Sequence, residues 1–571
     1  MGTAERRTVV PQRPAEGMAA GGRPGSARLP GSVRLPGSVP VLIAGGGPVG
    51  LAAAVELGRR GIGCLVVEPR LAVSHARPRC KTVNVRSMQH LRRWGLAGEL
   101  RRRAPLPVSW SQQVVFCTSL AGRELSRFTG VLGLVPDGDR FPEVGQQAPQ
   151  YILEELLRDA VAALPRCTLA TGLRVTGVAQ RAGPAGVAVT ISDAAGQSAV
   201  VTAEYVLGCD GPRSVVREQL GAAYVGDHAL RPNFGMVFTA PGLWPQVRHG
   251  PAVHYWIINP AAPALAGPID PAGTWWVIAF GVSRETGERD ARQIIDAIAG
   301  TPVAADIVST DPWTARMQIV DRMRGGRVFL AGDAAHLNPP FGGHGLNTGL
   351  GDAVDLGWKI AAVLDGWGGP GLLDSYETER RPIQEQVIEE ATANMAVTSP
   401  ELVAGNLDAG DEAGERARQA AATRIQQTKH REFHSLDLVL GARITGSPLI
   451  AGPAAPGETD RGDTGRGGIA RGQITAGTLL PHAWLSAGHS LYDELGPGFT
   501  LLVRRRGSTA GAIERAARSR GVPLTVVDLA DRDMAGPGLV LVRPDQYVAW
   551  AGDREPGDPL GLIDRLRGAA G

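Results

Sequence analysis

The residues of this chain best placed for chemistry are glycines and carboxylates rather than nucleophiles. Gly45-Gly46-Gly47-Pro48-Val49-Gly50 forms a Gly-x-Gly-x-x-Gly turn, and Glu68 follows 23 residues after Gly45. Asp210-Gly211 and Gly332-Asp333 each close an apolar run, and Pro339 and Pro340 lead through Gly342, Gly343, Gly345 and Leu346 to Asn347. In such a turn Gly45 allows the tight bend, Gly47 lets a pyrophosphate approach the backbone, and Gly50 lets the helix lie close on its sheet. A carboxylate at the position of Glu68 can hold both hydroxyls of an adenosine ribose. Asp333, at the end of its strand, can bond the hydroxyls of a polyol chain. The glycines before Asn347 strip side chains from a helix entry whose free N–H groups and dipole stabilise negative charge. The chemistry is that of a bound dinucleotide. No nucleophile or metal-ligand constellation is visible in the sequence.

These residues need elements to hold them. Val39 to Glu68 reads as strand, glycine turn, helix and strand, the unit that binds a dinucleotide. A polar loop follows, with Arg70 and Arg77 read as solvated and Arg79 and Lys81 as candidates for cofactor contact. A helix is predicted from about Asn84 to Trp94 with Gly95 as its stop, and a second opens at Pro149-Gln150 and runs through Leu164. Short strands are predicted around 113–116 and 123–125. Further strands around 173–191 and 200–207 lead into Asp210, where the turn after a strand C-terminus is a ligand position in α/β sheets. Aromatic and β-branched runs at 234–238, 253–258 and 274–280 predict an antiparallel sheet inserted into the nucleotide fold, at about 108–135 and 222–320. A buried strand at 326–332 and a helix from Asn347 to about Leu364 complete the unit.

Composition bounds the rest. The 571 residues suffice for two or three domains, and 43% hydrophobic with 20% charged residues is ordinary for a soluble protein. A net charge of +3 implies neither nucleic acid nor a membrane surface. The five cysteines have no Cys-x-x-Cys spacing and all precede residue 210, so they read as reduced thiols of a cytoplasmic protein. Lys81, Lys359 and Lys429 are the sole lysines among 59 basic residues, which limits amine catalysis to three candidates. Residues 1–38 are rich in Gly, Pro, Ala and Arg and repeat Arg-Leu-Pro-Gly-Ser-Val, so they are expected to form a disordered tail.

Taken together, the ordered motifs Gly45-x-Gly47-x-x-Gly50, Asp210-Gly211 and Gly332-Asp333 with its Pro-x-Gly-Gly-x-Gly-x-Asn run resemble the class A flavoprotein monooxygenases, the para-hydroxybenzoate hydroxylase-like family. Pro78-Arg79, Arg86-Ser87-Met88, Pro149-Gln150 with Glu154, and Ser375-Tyr376-Glu377 with Arg380-Arg381-Pro382 add to the likeness, which spans roughly residues 40–395. The final hundred residues resemble the thioredoxin-like C-terminal domain of the phenol hydroxylase and aromatic polyketide hydroxylase branch. With no cysteine beyond Cys209, that domain cannot do dithiol chemistry. The resemblance implies an α/β architecture with an α+β insert. A Rossmann-like FAD-binding domain at 39–395 would carry the antiparallel substrate sheet, followed by a connector at 396–470 and a thioredoxin-like domain at 471–571.

The resemblance also implies residue roles. The Gly45 turn and Glu68 hold the adenosine diphosphate of FAD, and Arg79 and Gln150 contact the cofactor. Asp210 lies in the segment serving both FAD and nicotinamide, and Asp333 binds the ribityl chain. The backbone of Gly345, Leu346 and Asn347, following Pro340, lies against the flavin N1/C2 edge. The chain departs from the family at His344, where Gln is commoner, and at Cys80, where a small apolar residue is commoner. The implied reaction uses NAD(P)H as co-substrate: FAD is reduced, dioxygen adds at C4a, and the hydroperoxide gives one oxygen atom to a phenolic or polyketide-type aromatic. His254, Tyr255 and His344 could help deprotonate a phenol, although each reads more simply as a packing or surface residue. The partners implied are a small aromatic substrate and dioxygen, with neither nucleic acid nor membrane, and a homodimer is an admissible assembly. Baeyer–Villiger oxygen insertion is the rival chemistry, and a non-catalytic flavin-fold binding protein the rival class. The Trp-x-Trp pattern of the flavin halogenases is absent.

Overall fold

The computed structural model describes residues 5–9, 27–28, 34–76, 81–180, 186–227, 231–395, 397–404, 406–452, 474–532 and 536–569. Three sheets organise it. In the first, Ser38–Ala44 lies between Cys64–Glu68 and Ser198–Gly208, parallel to both, with Cys167–Thr171 outside Cys64–Glu68. The long strand Ser198–Gly208 pairs its first half with the antiparallel Val187–Ser192 and its last residues with the parallel Val328–Leu330. Parallel strands are covered on both faces and therefore read as unbroken apolar runs. Val41, Leu42, Ile43, Leu65 and Val66 are fully buried, each contributing about 1.5–3 kcal/mol. Helices Pro48–Arg59 and His344–Leu364 pack against each other, and Gly357 lets Glu56 approach: a Cβ there would sit 2.4 Å from the Glu56 Cγ.

The second sheet has the order Asp306–Thr314, Pro232–Thr239, Thr274–Phe280, Ala264–Pro268, His254–Ile257, Gln113–Cys117, Glu124–Thr129. It draws strands from both segments expected to form the insert, and every pairing is antiparallel except Gln113–Cys117 with His254–Ile257. Side chains alternate across it. One face, with Tyr255, Ile257, Trp275 and Val277, is covered by helix Arg284–Ala299. The other, with Trp256, Leu265, Trp276 and Phe280, meets helix Glu412–Phe433 and Phe341.

The third sheet is C-terminal. Phe499–Val503, helix Gly511–Ser519 and Leu524–Asp528 make a parallel βαβ unit, and Leu539–Val542 and Val548–Gly552 add antiparallel strands before helix Pro559–Leu566. This is a thioredoxin-like arrangement. Its outer strand comes from the other end of the chain, because Glu5–Val9 pairs antiparallel with Leu524–Asp528. The expectation of a disordered tail therefore fails at these five residues, whose backbone groups extend an otherwise open sheet edge. The remainder of 1–33, apart from the Ala27–Arg28 strand, lies outside the described residues.

Candidate cofactor and active site

The three glycine-carboxylate motifs meet at the C-terminal ends of the first sheet. Gly45 has φ +99°, and a Cβ on it would lie 2.3 Å from the Cys209 carbonyl oxygen, one residue before Asp210. A Cβ on Gly50 would lie 2.0 Å from the Gly45 carbonyl. These two glycines are required by the protein's own packing. Gly47 is different, since a Cβ there meets nothing within 4 Å. Gly47 caps helix Pro48–Arg59 in extended conformation, so the helix N-terminus is open on that side. Val49 packs against both Gly332 and Gly349, where added Cβ atoms would lie 2.9 and 2.7 Å from its Cγ2. The turn, the Asp333 segment and the second helix are thus one assembly.

Glu68 is buried at its strand end and accepts the Gly46 N–H at 2.8 Å. Arg70, expected to be solvated, keeps its side chain 43% exposed while bridging Glu68 (2.6 Å) and Glu154 (2.8 Å). The reason is local: Arg70 follows Glu68 by two residues, and helix Gln150–Ala162 presents Glu154 opposite. Gln150 is half-buried at the start of that helix. Arg79, with Arg77 and Cys80, lies outside the described residues. Asp210 accepts the Ser214 hydroxyl (2.5 Å) and the Val216 N–H (3.2 Å), capping the short helix Val215–Gln219, and burial raises its pKa.

Asp333 exposes its side chain, and its carbonyl accepts the Tyr224 hydroxyl. Behind it the buried Asp352 receives the Gly332 N–H (3.1 Å), His336 Nε2 (3.0 Å), Arg380 Nε (2.8 Å) and Gln384 Nε2 (2.7 Å). The helix expected to start at Asn347 starts at His344, three residues earlier, because Gly343 at φ +68° ends the preceding turn. Pro340 is exposed, Gly345 faces open space, and Leu346 is half-buried against the core. Asn347 fastens this helix end to the segment 82–87. Its Oδ1 accepts the Asn84 N–H (3.0 Å) and the Ser87 hydroxyl (2.7 Å), and its Nδ2 donates to the Thr82 and Gly343 carbonyls (3.0 and 2.6 Å).

The candidates for phenol deprotonation separate by sheet face and helix face. Tyr255 points to the face under helix Arg284–Ala299 and donates to the Gly250 carbonyl, and burial pushes its pKa up. It is turned away from the aromatic face. His344 is buried with Asn347, Thr348 and Gly351 along a cavity shared with Arg86, Arg380 and Tyr547, on the helix side opposite Gly345 and Leu346. Burial lowers its pKa to about 4. His254 shares the face of Trp256 and Trp276. Its Nε2 has no partner among the described residues, and burial, then Lys81 and Lys429, lower its pKa to about 3.

Phe341, from the run before the helix, stacks on Trp256 at 6.0 Å, and Trp256 stacks on Phe116 at 5.4 Å. The helix entry and the aromatic face are therefore adjacent. Lys81, a candidate from sequence for cofactor contact, turns its side chain into this sheet, donating to the carbonyls of Val253 (2.6 Å) and Pro268 (2.9 Å). All three lysines are buried, a placement hinted at only by their rarity. Among the described residues no group of His, Cys, Asp or Glu could hold a metal ion, and no helix is long and apolar enough to cross a membrane.

Residues 38–391 match the FAD binding domain family, and residues 473–571 match the C-terminal domain of the aromatic-ring hydroxylases. The chain is 32% identical to a tetracenomycin B2 monooxygenase-dioxygenase of Streptomyces olivaceus, over 92% of this chain and 97% of that one. It is 30% identical to a 2,4-dichlorophenol 6-monooxygenase of Delftia acidovorans, over 89% and 94%. The structure of the rebeccamycin biosynthetic enzyme RebC with reduced flavin superposes with a TM-score of 0.83 at 33% identity, covering 93% of this chain and 99% of that one. The chain belongs to the FAD-dependent aromatic-ring monooxygenases.

Proposed function

We propose that the protein consumes NAD(P)H to hydroxylate a phenolic or polyketide-type aromatic substrate in the cytoplasm. The reading is carried by one juxtaposition: the glycine-stripped helix entry at 342–345 adjoins, through Phe341, a sheet face built from Trp256, Trp276 and Phe280. A flat aromatic ligand fits against the half-buried Trp276 and Ile278 of that face, beyond the part that helix Glu412–Phe433 covers, and relatives named for tetracenomycin and 2,4-dichlorophenol oxygenation support that class. Bound FAD would supply the oxygen transfer, passing electrons from NAD(P)H to dioxygen. The Gly45–Gly50 turn, with Pro48 and Val49, and Glu68 hold the adenosine diphosphate half. Arg79 and Gln150 contact the cofactor, Asp210 borders both FAD and nicotinamide, and Asp333 holds the ribityl hydroxyls. The N-terminus of helix His344–Leu364, entered after Pro340, stabilises negative charge on the reduced flavin through the backbone of Gly345, Leu346 and Asn347.

The test is direct. The purified protein should be yellow, and its NAD(P)H oxidation should be stimulated by phenols. Asp333→Ala should be largely colourless, and full FAD content in that variant would overturn the assignment of Asp333.

A further inference from the structure

Lys81 is a buried cation with no carboxylate partner among the described residues. Lys359 lies 2.9 Å from Asp355 and 2.7 Å from Glu379, and Lys429 lies 2.8 Å from Glu432. Among the described residues Lys81 donates to two carbonyl oxygens, Val253 at 2.6 Å and Pro268 at 2.9 Å, and it sits 5.5 Å from the centre of the Trp276 ring. Those carbonyls flank the His254–Gly267 position, where the ladder of Ala264–Pro268 and His254–Ile257 ends. An ammonium group has three N–H donors, so one remains. Beside it lie two further polar atoms without a partner among the described residues, His254 Nε2 and Trp276 Nε1, on the face that carries Trp256.

The backbone of Lys81 ties this position to the cofactor side. Its carbonyl accepts the Ala148 N–H at 2.7 Å, two residues before Gln150, and the next carbonyl, Thr82, accepts Asn347 Nδ2 at 3.0 Å. The side chain thus reaches from the helix entry into the aromatic sheet. Burial lowers its pKa to about 7, so a neutral amine is accessible near neutral pH. The titratable groups around it are His254 on the neighbouring strand and, across Trp256, Lys429 of helix Glu412–Phe433. Lys429 is paired with Glu432 at 2.8 Å and His254, its pKa lowered to about 3, is neutral near pH 7, so burial is what lowers the Lys81 pKa.

We propose that Lys81 binds the acidic hydroxyl of the aromatic substrate and takes its proton, holding the substrate as a phenolate. The inference rests on the hydroxylase reading above. In the step, the phenol O–H bond breaks and an N–H bond forms on the neutral amine. The resulting ammonium pairs with the phenolate, whose added electron density activates the ring toward an electrophilic oxygen. The substrate class narrows to aromatics bearing an ionisable hydroxyl.

The test uses the FAD-loaded enzyme with 2,4-dichlorophenol and 1,4-dihydroxyanthraquinone, whose phenolates absorb at longer wavelength than the phenols. If neither stimulates NAD(P)H oxidation, the phenolic reading itself falls. If one does, wild-type enzyme should show the phenolate spectrum of the bound probe well below its solution pKa, with kcat rising as pH passes through about 7. Lys81→Met should bind the probe as the neutral phenol, lose that rise, and fall about 10²-fold in kcat while keeping its FAD. Lys81→Gln provides the same reading if the Met variant does not fold. A neutral phenol bound to wild type, or a phenolate bound equally well by either variant, overturns the proposal.

Discussion

The Ser87 hydroxyl donates to Asn347 Oδ1 at 2.7 Å, joining two residues 260 positions apart. This bond, with the three others Asn347 makes, fixes the N-terminal end of helix His344–Leu364 against the segment 82–87. Asn347→Leu keeps the volume and removes all four bonds, leaving the Asn84 N–H and the Thr82 carbonyl to find new partners. The expected cost is about 2–4 kcal/mol in urea denaturation, with weaker FAD binding by titration. Unchanged FAD affinity would show that the helix end is held by other contacts.

Gly47 and Gly45 should respond differently to alanine. Gly45→Ala combines φ +99° with a 2.3 Å approach to a carbonyl and should impair folding. Gly47→Ala meets nothing in the protein and should keep its unfolding midpoint. Its FAD affinity should nevertheless fall by at least about tenfold, because a pyrophosphate would come close there. Full FAD affinity in Gly47→Ala would place the phosphates elsewhere.

Much of this was legible because local pattern encodes it. The Gly45 turn, Glu68 and the strands at 254–257 and 274–280 follow from glycine spacing and residue periodicity alone. What was not legible depends on partners distant in sequence. Asp352 gathers Gly332, His336, Arg380 and Gln384, and no local signal marks it. His254 and Tyr255 looked equivalent until strand parity put one on the aromatic face and the other under helix Arg284–Ala299. The direction of the Lys81 side chain, toward the Val253 and Pro268 carbonyls, is not legible because a loop reading gives no direction to a side chain.

Arg543 should be the main fastening of the C-terminal domain. It is buried and bonds Glu379 (2.7 Å), Asp545 (2.6 Å) and Asp355 (3.2 Å), while Lys359 shares two of those carboxylates. Removing it leaves buried carboxylates undercompensated. Arg543→Met should lose about 3–5 kcal/mol in chemical denaturation. A loss below about 1 kcal/mol would mean the network relaxes without it.

Glu56 should govern part of the acid stability. Burial would raise its pKa, but Arg93, Arg60 and the Trp94 indole N–H hold it at about 2, below the usual 4.5. A folded pKa below the unfolded one gives stability that is present above about pH 4.5 and lost as pH falls through about 2. The contribution is roughly 3 kcal/mol. Glu56→Gln should flatten the stability slope across that window, measured by denaturation at a series of pH values. An unchanged slope would assign the acid sensitivity to other carboxylates.

Removing the first 37 residues should now cost something. A chain beginning at Ser38 lacks the strand Glu5–Val9 and exposes the edge at Leu524–Asp528. Its FAD content should be retained, while thermal unfolding falls and aggregation rises. Unaltered thermal stability would show that the added strand contributes nothing.

The central claim is insertion of a single oxygen atom into an aromatic substrate. With isotopically labelled dioxygen, NAD(P)H and a stimulating phenol, mass spectrometry should find one labelled atom in the product and the other in water, with one NAD(P)H consumed per coupled turnover. Substrate that is desaturated while all the label is recovered as hydrogen peroxide would contradict it, making the protein an oxidase or dehydrogenase on a hydroxylase fold.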